Sequence, residues 1–402
     1  MKILTMILAG GRGRELSVLT RHRAKTSVPF GGRYRIIDFC LSNCVHSGLT
    51  DIAILAQYNP TSLMEHIRMG KPWDLDRRSG GVYIMQPAHR GKAANWYLGT
   101  ADALLQNIDI IRNSDSDTVL VLSGDQVYLM DYRLMARQHA ESNNPVTIAC
   151  KAVSPKQRGR FGMVSMSKDG IVRDFQEKPV ASEFHNASLG IYMFDRKYLL
   201  DCLSENKRDI VFDILMPSIE RGDVGGYLFG GYWEDTGSIP SYFKASMRLL
   251  KNRSLITKED WSIFTRGEGL APAKFSARAS VHDSIVADGC VIEGEVRGSI
   301  LFPGVHIGRD VQVIDSIIFS GSRIINGSRV LRTIIDKDVF VGSDSDIGRK
   351  RAAKKDFLDP RLGLVGGDHG KNRISLIGKN TRLHSGCVLP AGSMIEPESR
   401  MR

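Results

Sequence analysis

The sequence has no apolar run near the roughly 18 residues that a membrane helix requires, so a spanning helix is not expected. Cysteine is scarce. Cys40, Cys44, Cys150, Cys202, Cys290 and Cys387 are the only six in 402 residues, none forms a CxxC pair, and all lie in apolar settings. That pattern excludes a disulfide framework and points to a reducing cytoplasm. The opening stretch, Met1 to Gly11, has a single lysine and about seven apolar residues, so it reads as a strand entering a loop, not as a secretory signal. No DNA- or RNA-binding signature occurs, and the basic residues are spread along the chain. The excess of 55 Lys and Arg over 44 Asp and Glu, net +11, therefore points to small anionic ligands such as phosphates and not to nucleic acid. With 42% hydrophobic and 25% charged residues, the chain is neither disordered nor collagen-like. Its length suggests two or three domains.

What is present falls into two patterns. Ile3–Ala9, Asp51–Leu55, Thr118–Ser123, Val146–Lys151 and Leu189–Phe194 read as strands. Ile37–Ser47, Pro60–Met69, Thr100–Ile111 and Asp131–Glu141 between them read as amphipathic helices. Alternation of this kind predicts an α/β domain, Rossmann-like, with a mainly parallel sheet and helices on both faces. After about residue 275 the helical period stops. Apolar residues then recur every sixth position: Ile285 and Val291; Val305, Val311 and Ile317; Ile324 and Val330; Val341 and Ile347; Ile377, Leu383, Leu389 and Ile395. A six-residue period with one inward residue per side predicts a parallel β-helix. Irregular hairpins would need period-two alternation and two-residue turns, which are mostly absent. The expected division is a catalytic domain over 1–250, a linker over 251–275 and a β-helix over 276–402. Residues 348–373 interrupt the repeat. Their basic run, Arg349 to Lys355, is either a solvated loop or part of an anion site or subunit contact.

The first strand ends in Ala9-Gly10-Gly11-Arg12-Gly13-Arg14-Glu15-Leu16. Glycines after a strand let backbone N–H groups approach a polyphosphate. The loop matches neither GxGxxG nor GxxxxGK[ST], and a ligand-free turn would look the same. Asp125 follows the strand Thr118–Ser123 at its C-terminal end, the ligand edge of a parallel sheet. Asp235 lies at a second strand-to-turn junction.

Further motifs sharpen this reading. Arg23-Ala24-Lys25-Thr26-Ser27-Val28-Pro29-Phe30-Gly31-Gly32 leads to Arg33-Tyr34-Arg35-Ile36-Ile37-Asp38-Phe39, then Leu41-Ser42-Asn43-Cys44 and Ser47-Gly48. Trp96-Tyr97-Leu98-Gly99-Thr100-Ala101-Asp102-Ala103, Ser123-Gly124-Asp125-Gln126, Phe175-Gln176-Glu177-Lys178-Pro179, Ser188-Leu189-Gly190-Ile191-Tyr192 and Tyr232-Trp233-Glu234-Asp235-Thr236-Gly237 follow in order. Together they resemble the ADP-glucose pyrophosphorylases (glucose-1-phosphate adenylyltransferases) over nearly the whole chain, with Pro272-Ala273-Lys274-Phe275 marking the entry to a left-handed β-helix.

The resemblance implies that ATP and glucose 1-phosphate are joined to ADP-glucose with release of pyrophosphate, in support of glycogen or a related α-glucan. It implies Mg²⁺ as cofactor, held by Asp125 and Asp235, which suits an ion that takes one or two carboxylates plus phosphate oxygens. Lys25 is the implied catalytic lysine beside the leaving phosphates. Glu177 and Lys178 form the sugar-phosphate site with Ser188, Tyr192, Gly162 and Tyr97. Gly10, Gly11, Gly13, Gln86, Trp96, Gly99 and Thr100 are placed at the nucleotide. His22, Arg23, Arg35 and Arg332 resemble a site for an anionic metabolite effector, although ordinary interface salt bridges would use the same residues. A cytoplasmic homotetramer is the implied assembly. No nucleic acid or membrane partner is expected.

The chain departs from the family's loop, Gly-Gly-x-Gly-x-Arg-Leu, by carrying Glu15 where an arginine is usual. Like charges a few ångström apart cost about 1 kcal/mol in water and several in a drier site. Arg14 could take over the phosphate contact, or Glu15 could pair with Arg12 or Arg23. The remaining alternatives are a non-catalytic regulatory subunit, or a pyrophosphorylase for another nucleotide or sugar phosphate. An acyltransferase, which a hexapeptide β-helix can also be, is disfavoured by the interrupted repeat and the lack of a clear catalytic histidine. Thr26 for proline and Gln126 for histidine are smaller departures.

Overall fold

The computed structural model describes residues 2–87, 96–204, 206–252, 258–349 and 373–400. The basic run from residue 350 to 355 lies outside them. The chain divides into two compact units, Met1–Gly11 with Phe39–Trp233, and Arg12–Asp38 with Glu234–Arg402. The stretch 12–38, early in the sequence, thus packs with the β-helix.

The first unit is built on a nine-stranded mixed sheet. Its strands are β1 (Ile3–Ala9), β2 (Asp51–Ala56), β3 (Gly81–Met85), β4 (Thr118–Ser123), β6 (Val146–Ala152), β7 (Gly162–Met166), β8 (Val172–Glu177), β9 (Asn186–Asp195) and β10 (Val224–Leu228); the short β5 (Gln126–Tyr128) follows β4 outside it. The order is β8-β7-β9-β4-β1-β2-β3, and β6 joins β9 to β10. β1 lies at the centre of a parallel set, between β2 and β4. Its run ILTMILA is buried on both faces, as a central parallel strand requires. β9 runs antiparallel to β4, β6 and β7. Four helices matter below: α1 (Ile36–His46), α2 (Thr100–Gln106), α3 (Tyr132–Glu141) and α4 (Ile239–Lys251). The helix expected over Thr100–Ile111 is two. It breaks at Asn107, whose side chain turns back to the Ala103 carbonyl at 2.8 Å, the local competition that makes asparagine a poor helix interior.

In the second unit the six-residue period closes into three six-stranded parallel sheets. They start from Lys274–Phe275, Ser280–His282 and Ile285–Val286. This is the left-handed parallel β-helix expected from the repeat and the resemblance. Each short strand buries one side, and Ile292, Ile307, Ile324, Val341 and Leu383 stack in the core. Corner hydroxyls form a ladder: Ser299 N donates to Ser284 Oγ at 3.1 Å, Ser316 N to Ser299 Oγ at 3.0 Å, and Thr333 N to Ser316 Oγ at 3.1 Å. Each coil thereby satisfies a buried donor of the next. The segment 12–38 is fastened to this body. Gly32 lies so close to Ile285 that an added Cβ would fall 2.7 Å from its Cγ2. Arg21 donates twice to Glu396, at 3.1 and 2.8 Å.

No helix among the described residues is long and apolar enough to cross a membrane. All six cysteines are free thiols.

Candidate active site

In the first unit Gly10, Gly11 and Asp125 stand at the C-terminal ends of β1 and β4. Gly10 and Gly11 follow β1, and Gly11 has open space where a side chain would be. The Gly124 N–H donates to the Leu8 carbonyl at 3.1 Å, tying the turn after β4 to the end of β1. Asp125 sits in that turn and accepts the Ser123 hydroxyl at 2.5 Å. Beside it, β9 carries a bulge between Ser188 and Tyr192. Gly190 within it has φ 64°, and its Cβ position lies 3.2 Å from Ser123 Cβ. A bulge of this kind re-aims side chains next to active sites.

Of the sugar-phosphate candidates, Gly162, Glu177, Lys178, Ser188 and Tyr192 are brought together. Gly162 pairs with Glu177 across β7 and β8. A Cβ there would fall 2.3 Å from Phe175 Cζ and 3.0 Å from Glu177 Oε2, so only glycine fits. Lys178 Nζ is 3.5 Å from Glu177 Oε1, and Lys178 holds φ 45°. That left-handed conformation costs a lysine about 1–2 kcal/mol. Tyr192 is buried with Ser188 against its hydroxyl. Burial pushes its pKa up, and the charges of Glu177 and Asp209 reinforce the shift while Ser188 opposes it. Glu177, Ser188, Tyr192 and Asp209 therefore face a common region.

The base-side candidates are employed differently from one another. Trp96 is half exposed and Gln86 is exposed. Tyr97, a sugar-phosphate candidate, is instead buried against Gly10, and its hydroxyl accepts Asn107 Nδ2 at 3.1 Å. Gly99 and Thr100 stand at the start of α2, as the sequence implies. The Ala101 and Asp102 N–H groups there donate to the Arg208 carbonyl at 2.8 and 3.2 Å. A Cβ at Gly99 would fall 2.3 Å from that oxygen, and Thr100 Oγ1 bonds Asp209 and the Ile210 N–H. Both residues thus have a structural task, joining α2 to the segment that carries Asp209.

In the second unit, Gly13 takes φ 60° and lies against Lys25, whose Cβ would be 2.9 Å from an added Cβ. The Thr20 hydroxyl donates to the Gly13 carbonyl at 2.8 Å. Lys25 opens a 3-10 turn, Lys25–Ser27. Asp235 accepts the Gly237 N–H at 2.8 Å. At the Gly237 Cβ position, Asp235 Oδ1 is 2.8 Å away and Lys25 Nζ 3.5 Å, so the ammonium stands at the Asp235 turn. Arg14 and Glu15 are both exposed. Glu15 has no ion-pair partner among the described residues, because Arg23 is held elsewhere.

That other partner is Asp336. Arg23 Nη2 donates to Asp336 Oδ1 at 2.7 Å, and both side chains are almost wholly buried. Lys337 follows. Its pKa is pushed down to about 8, first by burial and then by the charges of Arg35 and Arg23. Of the four implied effector residues, Arg23 and Arg35 are thus brought together and His22 is exposed beside them in sequence. Arg332 lies over the Phe243 ring, 5.2 Å from its centroid, in an open cavity of about 960 Å³ that Lys244 and Lys251 also line.

Asp209, Asp336 and Lys337 were missed by the sequence reading. Asp336 carried a signal: it stands where the two coils before it place the stacked Phe302 and Phe319, each bonded N–H to carbonyl in the same way. Of the departures, Gln126 accepts the Trp233 indole N–H at 2.9 Å, and the Thr26 hydroxyl is buried without a hydrogen-bond partner among the described residues.

No group of three or more His, Cys, Asp or Glu side chains gathers as a metal cage among the described residues. Asp125 in the first unit and Asp235 in the second are each a hard oxygen donor at a strand end, the donor type that Mg²⁺ takes singly or in pairs beside water and phosphate oxygens.

The nucleotidyl transferase family matches residues 4–252, and the GlmU-like C-terminal hexapeptide family matches 271–360. A glucose-1-phosphate adenylyltransferase of Thermomicrobium roseum is 44% identical over 98% of this chain and 93% of its own length. Proteins of the same name from Clostridioides difficile and Pseudothermotoga lettingae are 42% and 38% identical. They cover 79% and 97% of this chain, and 85% and 94% of their own lengths.

Proposed function

The chain belongs to the glucose-1-phosphate adenylyltransferase family, and from that premise we propose that it converts ATP and glucose 1-phosphate to ADP-glucose and pyrophosphate. The observation that carries the reading is the Glu177–Lys178 pair, with Glu177 against Gly162 and near the Tyr192 that Ser188 bonds. A carboxylate suits sugar hydroxyls, and an ammonium held in a strained backbone suits the phosphate. A phosphate oxygen of glucose 1-phosphate attacks the α-phosphorus of ATP. The bond to the bridging oxygen breaks, and pyrophosphate leaves with the electron pair. No covalent enzyme intermediate is needed, so the protein positions and neutralises. Lys25 stabilises the charge of the leaving phosphates. Gly10, Gly11 and Gly13 let the backbone approach them. Asp125 and Asp235 would hold Mg²⁺, which supplies charge neutralisation of the triphosphate when bound.

Regulation by an anionic metabolite is part of the proposal, with Arg23, Arg35 and Lys337 as its cation cluster. So are a cytoplasmic location, supported by six free thiols, and a homotetramer, supported by the exposed first strand of the β-helix and checked by light scattering.

Pyrophosphate release with Mg²⁺, ATP and glucose 1-phosphate tests the reading, with a panel of other nucleotides and sugar phosphates alongside. Asp125→Asn should reduce release by about a thousandfold, the scale of losing a principal electrostatic contact. Exposed, unpaired Glu15 favours one second reading, a regulatory subunit. In that case the wild type is silent under every activator while Glu15→Arg releases pyrophosphate.

A further inference from the structure

The motif Leu41-Ser42-Asn43-Cys44 with Ser47 is unused by the chemistry above, yet its polar side chains are buried. Cys40, Asn43 and Ser47 are spaced three and four apart, so α1 and the residue after it present them on one face. All three reach the segment Ser123–Tyr132, which carries Asp125. Cys40 Sγ lies 3.9 Å from the Ser123 carbonyl and 3.3 Å from the Tyr128 hydroxyl. Asn43 Nδ2 donates to the Tyr128 carbonyl at 3.0 Å, and its Oδ1 accepts the Met130 N–H at 3.3 Å. Ser47 Oγ accepts the Tyr132 N–H at 2.9 Å. The Tyr128 and Tyr132 hydroxyls close the set at 2.6 Å. One helix face thus grips the segment on both sides of Asp125.

The first unit holds this segment from a second side as well. The Leu129 N–H, between the two groups that Asn43 holds, donates to the Tyr232 carbonyl at 3.1 Å. The Trp233 indole is bonded to Gln126, next to Asp125.

We propose that Asn43 is a positioning residue. Its amide acts as a two-handed strand partner that fixes the backbone on which Asp125 is mounted, with Ser47 and Cys40 completing the hold. The inference rests on the metal-binding role proposed for Asp125. A simple packing role would require only shape. An amide that satisfies both a buried carbonyl and a buried N–H is instead specific in direction, and its loss leaves both groups unpaired.

The test is Mn²⁺ binding by the full chain with ATP and no sugar phosphate, read by electron paramagnetic resonance, beside pyrophosphate release. Asn43→Ala is expected to weaken Mn²⁺ about tenfold, the equivalent of one lost buried hydrogen bond, with the KM for glucose 1-phosphate unchanged. Leu199→Ala, a buried core change on another helix, should lower thermal stability without moving Mn²⁺ affinity. Should Asn43→Ala fail to fold, Ser47→Ala should move Mn²⁺ affinity in the same direction. A folded variant with wild-type Mn²⁺ affinity, or an equal shift in Leu199→Ala, overturns the proposal while wild-type release stands. A wild type that neither binds Mn²⁺ nor releases pyrophosphate overturns the functional reading and the positioning role together.

Discussion

The β-helix and the mixed-sheet unit use the same rare backbone conformation for opposite ends. In the β-helix, left-handed residues recur at corners, and Asp283, Asp310, Asp315, Asp338, Asp344 and Asn380 fill them. Aspartate and asparagine tolerate that region through local hydrogen bonding, so these corners are architecture. In the mixed-sheet unit it follows no repeat: among the described residues Asn59, Arg68, Asp74 and Lys178 take a positive φ, and of these Lys178 stands at the sugar-phosphate candidate site. A conformation set by a repeat marks a building rule, and one held by a lysine at a candidate site calls for a test. The β-helix departs from its own pattern at Asp336 in the phenylalanine stack, at Arg332 in the corner ladder of Asp283, Gly298 and Asp315, and at Glu398, the corner that follows Asn380.

The largest effect should come from the break in the stack. Asp336→Ala leaves Arg23 buried and unpaired, and should lower the unfolding free energy by about 3–5 kcal/mol in urea titrations. The double change Arg23→Met with Asp336→Phe restores an apolar stack and should return to wild-type stability or above. If the double variant is as unstable as the single one, Asp336 is no exception to the stack. Next is Lys178→Gly. Steady-state kinetics should give a KM for glucose 1-phosphate about 10- to 100-fold higher, the scale of a charged hydrogen bond, while the melting temperature rises as strain is relieved. An unchanged KM would make Lys178 another structural corner. The smallest is Arg332→Asn, which places a tolerant residue in the ladder. It should stabilise the fold by about 1 kcal/mol in calorimetry and reduce any response to anionic metabolites. Lost stability would instead assign Arg332 a packing role on Phe243.

The two regions were legible to different degrees. The six-residue period is local and redundant, so the β-helix follows from its spacing. In the first unit the central strands could be read because burial on both faces makes them uniformly apolar. The edge strand Gly81–Met85 and the hairpin Gly162–Met166 with Val172–Glu177 were not read. Their half-buried, polar-flecked sequences gain their partners only in three dimensions. Candidate residues embedded in motifs, such as Glu177, Lys178 and Ser188, can be singled out in the sequence, and the fold brings Glu177 and Ser188 to the same tyrosine. Asp209 cannot be singled out in this way, because its bond to Thr100 spans 109 positions. The structural work of Gly99 was hidden for the same reason: the oxygen that forbids a side chain there belongs to Arg208.

One corner of the β-helix has a wider meaning. Asp283, Gly298, Asp315 and Arg332 each turn the chain from the second sheet to the third with a single left-handed residue. In the following coil the strands Asp346–Arg349 and Ser375–Ile377 stand much further apart in sequence. Yet Thr333, Ile334 and Ile335 meet Ser375, Leu376 and Ile377 in unbroken register. The coil keeps count of its strands and not of the residues between them.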